Sequence, residues 1–274
     1  MSRKTLALFV TTGRCGTQWL AENLRDLYSD VADVEHEPIR AQYRCREFFR
    51  GYDRTEDMLQ VDAIRHHLDE VDAVIGEGNT YIETGWPLFS AVPAFIARFG
   101  DNVRLVHLAR HPVPTSISHM VHKTYAGSPR VDEYTQLATL DPACGGVFQS
   151  ELRDRWGVLT PYEKTLFWWT EVNLYAEELR TRYPEVPFHR ARSEDLFDPA
   201  TGAMAALIEF LGLPERGSLE GATTQRVDRW HHRTEDDFDW RLIHAHSAAV
   251  EVAQRLGYDL EAVDSDSLNA RYSA

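Results

Sequence analysis

A three-layer α/β domain, with a central, mostly parallel sheet and helices on both faces, is the fold class the sequence predicts. Three observations carry it. Short apolar runs of strand length alternate with longer amphipathic stretches, and helical crossovers make such strands parallel and bury the sheet on both sides. The first run, Thr5 to Val10, passes through a loop with two glycines, Gly13 and Gly16, straight into a helix opening on Thr17. The chain of 274 residues, 43% hydrophobic and 26% charged, has ample material for a sizeable core.

The elements follow in order. From Thr17 onward, Leu20, Leu24, Leu27 and Tyr28 fall on one helical face. Val31 to Glu35 reads as a second strand running into His36-Glu37-Pro38, and Ile39 to Leu68 as a charged helical stretch broken at Gly51. Ala73 to Glu77 reads as a third strand, followed by the loop Gly78-Asn79-Thr80. Leu88 to Phe99 is predicted to be a helix closing at Gly100, and Val103 to Ala109 is the strongest strand in the sequence. Arg110-His111-Pro112 follows it, with a helix from Pro114 to His122. Residues 123–160 are irregular and long for a connection, which makes them either a functional lid or a partly ordered insertion. Tyr162 to Arg182 is a long helix and Phe188 to Arg192 the last strand. Ala200 to Leu211 and Arg241 to Leu256 are helices ended by Gly212 and Gly257. Ligands of such sheets sit beyond the carboxyl ends of the strands. Arg14, Glu37, Asn79 and Arg110, each read as following a strand, are therefore expected to face one crevice.

A net charge of −14 argues against nucleic acid, an anionic membrane or a long polyanionic glycan as the main partner, while leaving room for a local basic pocket. No apolar run approaches membrane-spanning length, and the three cysteines, Cys15, Cys45 and Cys144, lack metal or disulfide spacing. A cytoplasmic setting is the expectation. His66-His67, His231-His232 and His244 with His246 are not spaced as helical metal ligands, and His119 and His122 share a helix face without a third partner.

The loop after the first strand makes an anion site, because unpaired backbone N–H groups and the positive end of a helix dipole converge there. It is expected to hold a phosphate. It is not a nucleotide-triphosphatase loop: Gly13 and Gly16 are only three apart, and Thr17 stands where a Lys would be. Nor is it a dinucleotide fingerprint.

Gly13-Arg14-Cys15-Gly16-Thr17-Gln18-Trp19 resembles the 5′-phosphosulfate loop of the sulfotransferases that use 3′-phosphoadenosine-5′-phosphosulfate (PAPS), which reads roughly Pro-Lys-Ser-Gly-Thr-Thr-Trp or Arg-Ser-Gly-Thr-Thr. Arg110, Pro112 and Ser118 match the spacing of that family's 3′-phosphate segment, with His111 departing from its usual Asp or Asn. Arg192 to Pro199, Ala205 to Pro214, Arg229-Trp230 and Leu256-Gly257-Tyr258 are similar to later family segments, although Ser193 replaces a frequent adenine-contacting Tyr. The flavour is that of bacterial and carbohydrate-type members.

The resemblance implies a single P-loop-type domain over 1–274, with residues 123–160 as a lid or acceptor-binding insertion. It implies in-line transfer of a sulfuryl group from PAPS to a hydroxyl or amine of a small, non-polyanionic acceptor. The product would be 3′-phosphoadenosine-5′-phosphate (PAP), and no metal is expected. Arg14 takes the place of the family's catalytic Lys and is assigned to electrostatics, since a guanidinium does not readily give up a proton. Backbone N–H groups of Cys15, Gly16, Thr17 and Gln18, with the Thr17 hydroxyl, would hold the 5′-phosphate. Arg110 and Ser118 would hold the 3′-phosphate. Trp19 either stacks on adenine or packs in the core. For the base, Glu35-His36-Glu37-Pro38 resembles a Glu-Pro found after the second strand, which makes Glu37 the first choice and His36 the second. Adjacent residues at a strand end point to opposite sides, so only one of the two is expected to face the crevice. Two other readings stay open: an ATP-dependent small-molecule kinase, which the missing loop Lys disfavours, and a nucleotide-binding module without catalysis.

Overall fold

The computed structural model describes residues 5–125, 133–216, 233–234 and 238–273. Gly127, Pro129, Arg229-Trp230 and His231-His232 lie outside them.

Five strands form one all-parallel sheet: β1 (Leu6–Val10), β2 (Ala32–Glu35), β3 (Thr80–Glu83), β4 (Val103–Ala109) and β5 (Phe188–Arg192), in the spatial order β2-β3-β1-β4-β5. Alternation along β1 explains why it sits in the middle. Leu6, Leu8 and Val10 enter one core, Ala7 and Phe9 the other, and all five are completely buried. Such a strand has no solvent face and is stable only between two layers of helix.

Helix α1 (Thr17–Tyr28) packs Leu20, Leu24 and Tyr28 into the second core. The first core is closed by α2 (Asp62–Glu77), α3 (Val92–Phe99) and the long helix that follows the insertion. The chain runs from β1 out to β2, back to β3, and then across β1 to β4. The direction of winding thus reverses beside β1, the position where a parallel sheet opens a crevice at its carboxyl edge.

One strand and one site residue differ from the sequence expectation. Ala73 to Glu77 is the last turn of α2, and the third strand begins only at Thr80. Ile64, His67, Leu68 and Val71 are the buried stripe of that helix, a 3.6-residue period whose last apolar residues resemble a strand when read alone. Gly78, at φ 105°, ends the helix in the left-handed region that glycine occupies without strain. Asn79 therefore precedes β3 and lies at the edge of the sheet opposite the crevice, where it joins none of the other predicted site residues. The stretch from Ile39 is also less regular than expected, with short helical turns at Arg40–Tyr43, Cys45–Phe48 and Thr55–Leu59 before α2.

After β4 come α4 (Pro112–Val121), α5 (Glu133–Leu137) and the long α6 (Pro161–Arg182), which opens on a reciprocal capping box between Thr160 and Glu163. Glu171, fully buried in mid-helix, accepts from the backbone amides of Phe148 and Gln149, both at 2.8 Å, and so pins the insertion to α6. After β5 come α7 (Ala203–Phe210), α8 (Ser247–Arg255) and α9 (Ser265–Tyr272). The last two pack with α4 and α6 in a third apolar cluster. No helix among the described residues is long and apolar enough to cross a membrane.

Candidate active site

A cleft of about 730 Å³ opens at the carboxyl edge of the sheet, a size ordinary for a small-molecule site. Its floor is the loop after β1. Gly13, Arg14 and Gly16 all have positive φ (77°, 60° and 86°), a run of left-handed residues that curls the backbone into a concavity of amides. Two aromatic rings press on the glycines. A Cβ on Gly16 would lie 2.5 Å from Cζ of Phe197, and one on Gly13 would lie 3.0 Å from Cδ1 of Trp86. Gly16 occupies the N-cap of α1 without any side-chain cap, so the first amides of the helix, at Thr17, Gln18 and Trp19, are left to the cleft that these residues line. Hydrogen bonds hold the loop from behind: Trp168 Nε1 and His119 Nε2 both donate to the Thr12 carbonyl at 3.0 Å, and the Ser193 hydroxyl donates to the Cys15 carbonyl at 3.0 Å.

The two expected phosphate anchors meet. The Arg14 Nε donates to Ser118 Oγ at 3.0 Å, and Arg110 donates to the Arg14 carbonyl at 2.9 Å. All three line the cleft, but Ser118 lies against the Arg14 side chain. Arg110 is aimed by Trp169, whose indole donates to its carbonyl at 2.9 Å, so that the paired tryptophans of α6 fasten the ends of β1 and β4 from one helix. His111 caps α4: its Nδ1 accepts from the Val113 amide, and its own amide donates to Glu194 at 2.9 Å.

Glu37 and His36 both line the cleft, contrary to the expectation that only one would. Strand alternation stops at Glu35, and Glu37 turns through a left-handed φ of 54°. Gly85 makes room for it, since a Cβ there would lie 2.6 Å from the Glu37 backbone nitrogen. Burial pushes the Glu37 carboxyl upward, opposed by a hydrogen bond from Tyr134. Burial also drives His36 down to about 4, with Arg25 adding to the shift. Thr84 donates to the Thr17 carbonyl at 3.0 Å and so accepts from His36 Nδ1 at 3.1 Å, which leaves the ring lone pair on Nε2. Of the two, Glu37 is the better proton acceptor near neutrality and His36 a weak one.

Other residues behave as packing predicts. Trp19 is only 7% exposed and stands edge-on to Phe197 at 5.1 Å, a core residue with one edge at the cleft. The Cys15 thiol donates to the Gly13 carbonyl and is pushed up by burial, the opposite of an activated thiolate. His119 is held down to about 3 by burial and by Arg14, and is therefore neutral. His67 pairs with the buried Glu83 at 3.0 Å and His246 with Glu163 at 3.1 Å.

Sequence reasoning missed the roof. Asp264, Ser267, Leu268 and Arg271 of α9 and the turn before it line the cleft, beyond the last helix expected from the sequence, which ends at Leu256. A signal was present: Asp264 caps the Ser267 amide at 3.0 Å, an ordinary helix start. Tyr134 of α5 reaches the Glu37 carboxyl at 2.7 Å, a long-range contact with no local signal.

No protein-family model matches the chain, and no curated protein matches it in sequence. Solved structures do match over nearly the whole length. The sulfotransferase domain from the curacin biosynthetic pathway is 12% identical with a TM-score of 0.51, covering 94% of this chain and 98% of its own. The sulfotransferase domain of the Synechococcus PCC 7002 olefin synthase is 13% identical with a TM-score of 0.53, covering 95% and 98%. A sulfotransferase from Alicyclobacillus acidocaldarius is 16% identical with a TM-score of 0.51, covering 96% and 99%. The chain is built on the fold of the sulfotransferases.

Proposed function

We propose that the chain is a PAPS-dependent sulfotransferase acting on a hydroxyl or amine of a small acceptor. The observation that carries the reading is the convergence of Arg14, Arg110, Ser118 and the uncapped start of α1 on one wall of the cleft, with the Glu37 carboxyl lining the same space. The glycine cradle and the guanidinium pair fit a nucleotide with two separate phosphate positions. The missing loop Lys speaks against a kinase.

PAPS, when bound, supplies a sulfuryl group on a phosphate leaving group. The chain's own residues do the rest. Amides of Thr17, Gln18 and Trp19 would hold the 5′-phosphate, and Arg110 the 3′-phosphate. Glu37 would take the acceptor proton as the acceptor oxygen or nitrogen bonds to sulfur. Arg14 would meet the charge left on the departing phosphate oxygen, a role for a fixed cation that needs no proton transfer.

Titration with PAP and with ADP–Mg²⁺, followed by an acceptor screen with radiolabelled PAPS, tests the reading. PAP should bind the more tightly. Glu37→Gln should lower kcat by roughly 10²- to 10⁴-fold with PAP affinity nearly intact. Preference for ADP–Mg²⁺ would point to a kinase, and tight PAP binding without transfer to any acceptor to a non-catalytic module.

A further inference from the structure

We propose that Tyr134, on the insertion helix α5, is a positioning residue for Glu37: it holds one carboxylate oxygen and leaves the other to the acceptor. The proposal rests on the reading of Glu37 as the base.

The geometry is specific. The Tyr134 hydroxyl donates to Glu37 Oε2 at 2.7 Å, while Oε1 faces His36 Nε2 at 3.8 Å, beyond hydrogen-bonding distance. The same phenol oxygen accepts from Arg40 Nε at 3.2 Å, so a chain of donors runs from Arg40 through Tyr134 to Glu37. The ring packs against two neighbours, with the Arg40 guanidinium 5.3 Å and the Trp86 ring 5.6 Å from its centroid. The segment carrying Tyr134 is tied down as well. Gln42 hydrogen-bonds Glu133, Arg46 donates to the Thr139 carbonyl at 2.6 Å, and Arg46 pairs with Asp141 at 2.6 Å. The insertion thus delivers one hydroxyl to the candidate base and is anchored on the same stretch that follows it.

The consequence is chemical. A carboxylate with a free rotor would present either oxygen to the acceptor; here Oε2 is occupied. The groups acting on Glu37 are Tyr134, Arg40 and Arg14, which favour its charged form, burial and Glu83, which oppose it, and His36, which is neutral. The phenol itself is pushed above its ordinary range, first by burial and then by Glu37, and so remains a donor throughout the neutral range. A hydrogen bond made to the charged form lowers a carboxyl pKa, and its loss should raise it by about one unit.

The test is an infrared titration of the Glu37 carboxyl, isolated by subtracting the spectrum of Glu37→Gln, in the wild-type protein and in Tyr134→Phe. The expected result is a midpoint raised by about one pH unit. PAP affinity should be unchanged, and with the acceptor found in the screen the acid limb of kcat/KM should shift by the same amount and kcat should fall. Should Tyr134→Phe fold poorly, Arg40→Lys, at an exposed position, keeps the positive charge that acts on Glu37 but drops the guanidinium Nε behind the phenol, and should move the midpoint in the same direction by less. An unmoved midpoint in the folded variants overturns the positioning role. The two readings fail separately: turnover that survives Glu37→Gln overturns the base assignment, whatever the titration shows.

Discussion

Two residues at the cleft, Arg14 and Glu37, hold left-handed backbone conformations without being glycine, each at a cost of about 1 kcal/mol that the surrounding packing must offset. Arg40, Arg44, Arg50 and Lys123 share that conformation away from the cleft, so the strain is not peculiar to the site, but at Arg14 and Glu37 it sets the direction of a candidate chemical side chain. Arg14→Ala should cut kcat more than it raises the KM for PAPS, because charge gathers on the bridging oxygen only as the bond breaks. Arg14→Lys should recover most of the rate if charge alone matters. It should recover little if the guanidinium fork, with its Nε on Ser118, shapes the loop. At Gly16 the demand is steric and conformational together. Gly16→Ala should destabilise the fold by about 1–3 kcal/mol and abolish tight PAP binding, as the new methyl meets the Phe197 ring. Adding Phe197→Ala should restore part of the binding by removing the clash while the left-handed penalty remains. Denaturant unfolding and PAP titration of the single and double variants check this.

Among the elements, α6 does the most to connect the site with the rest of the chain. Its two tryptophans hold the ends of β1 and β4, and Glu171 on the same helix holds the insertion by two backbone amides and the Gln149 side chain. A buried carboxylate with three donors is satisfied; its amide replacement turns one acceptor into a donor facing N–H groups. Glu171→Gln should therefore cost about 1–3 kcal/mol and loosen the insertion locally. Hydrogen exchange of the Phe148 and Gln149 amides and the rate of proteolytic nicking within 133–160 report on it. An unchanged exchange rate at those amides would show that the anchor lies elsewhere.

For the molecule as a whole, a net charge of −14 coexists with a cleft whose lining sets Arg14, Arg110 and Arg271 against Glu37, Glu194 and Asp264. Acid sensitivity should come from histidines buried in the neutral form. His107 on β4 is 1% exposed and bonds Asn173 through Nε2 at 2.7 Å, while its Nδ1 has no hydrogen-bond partner among the described residues. Protonation would bury an N–H without an acceptor, and burial holds the group at about 4 against an ordinary 6.5. The unfolded chain takes up its proton near the ordinary value and the folded one only near the lower. The contribution is thus complete above pH 6.5 and is lost as pH falls toward 4, on the order of 3 kcal/mol. Denaturant unfolding between those limits should show this slope, and His107→Gln should flatten it.

Residue spacing and hydrophobic period determined the α/β class, four of the five strands, the glycine loop after β1 and the strand-end arginines. Each of these is a local pattern in which neighbours in sequence are neighbours in space. The third strand differs from its expected place for a local reason as well, since the end of an amphipathic helix and a short buried strand share an apolar run. Tertiary structure alone decided what depends on distant pairs. Gly85 lets Glu37 turn into the cleft beside His36, Tyr134 arrives from 97 residues away to hold it, and α9 returns from the chain's end to roof it. A hydrogen bond between positions so far apart leaves no periodic trace in the sequence. It exists only because the packed layers bring those positions to one edge of the sheet.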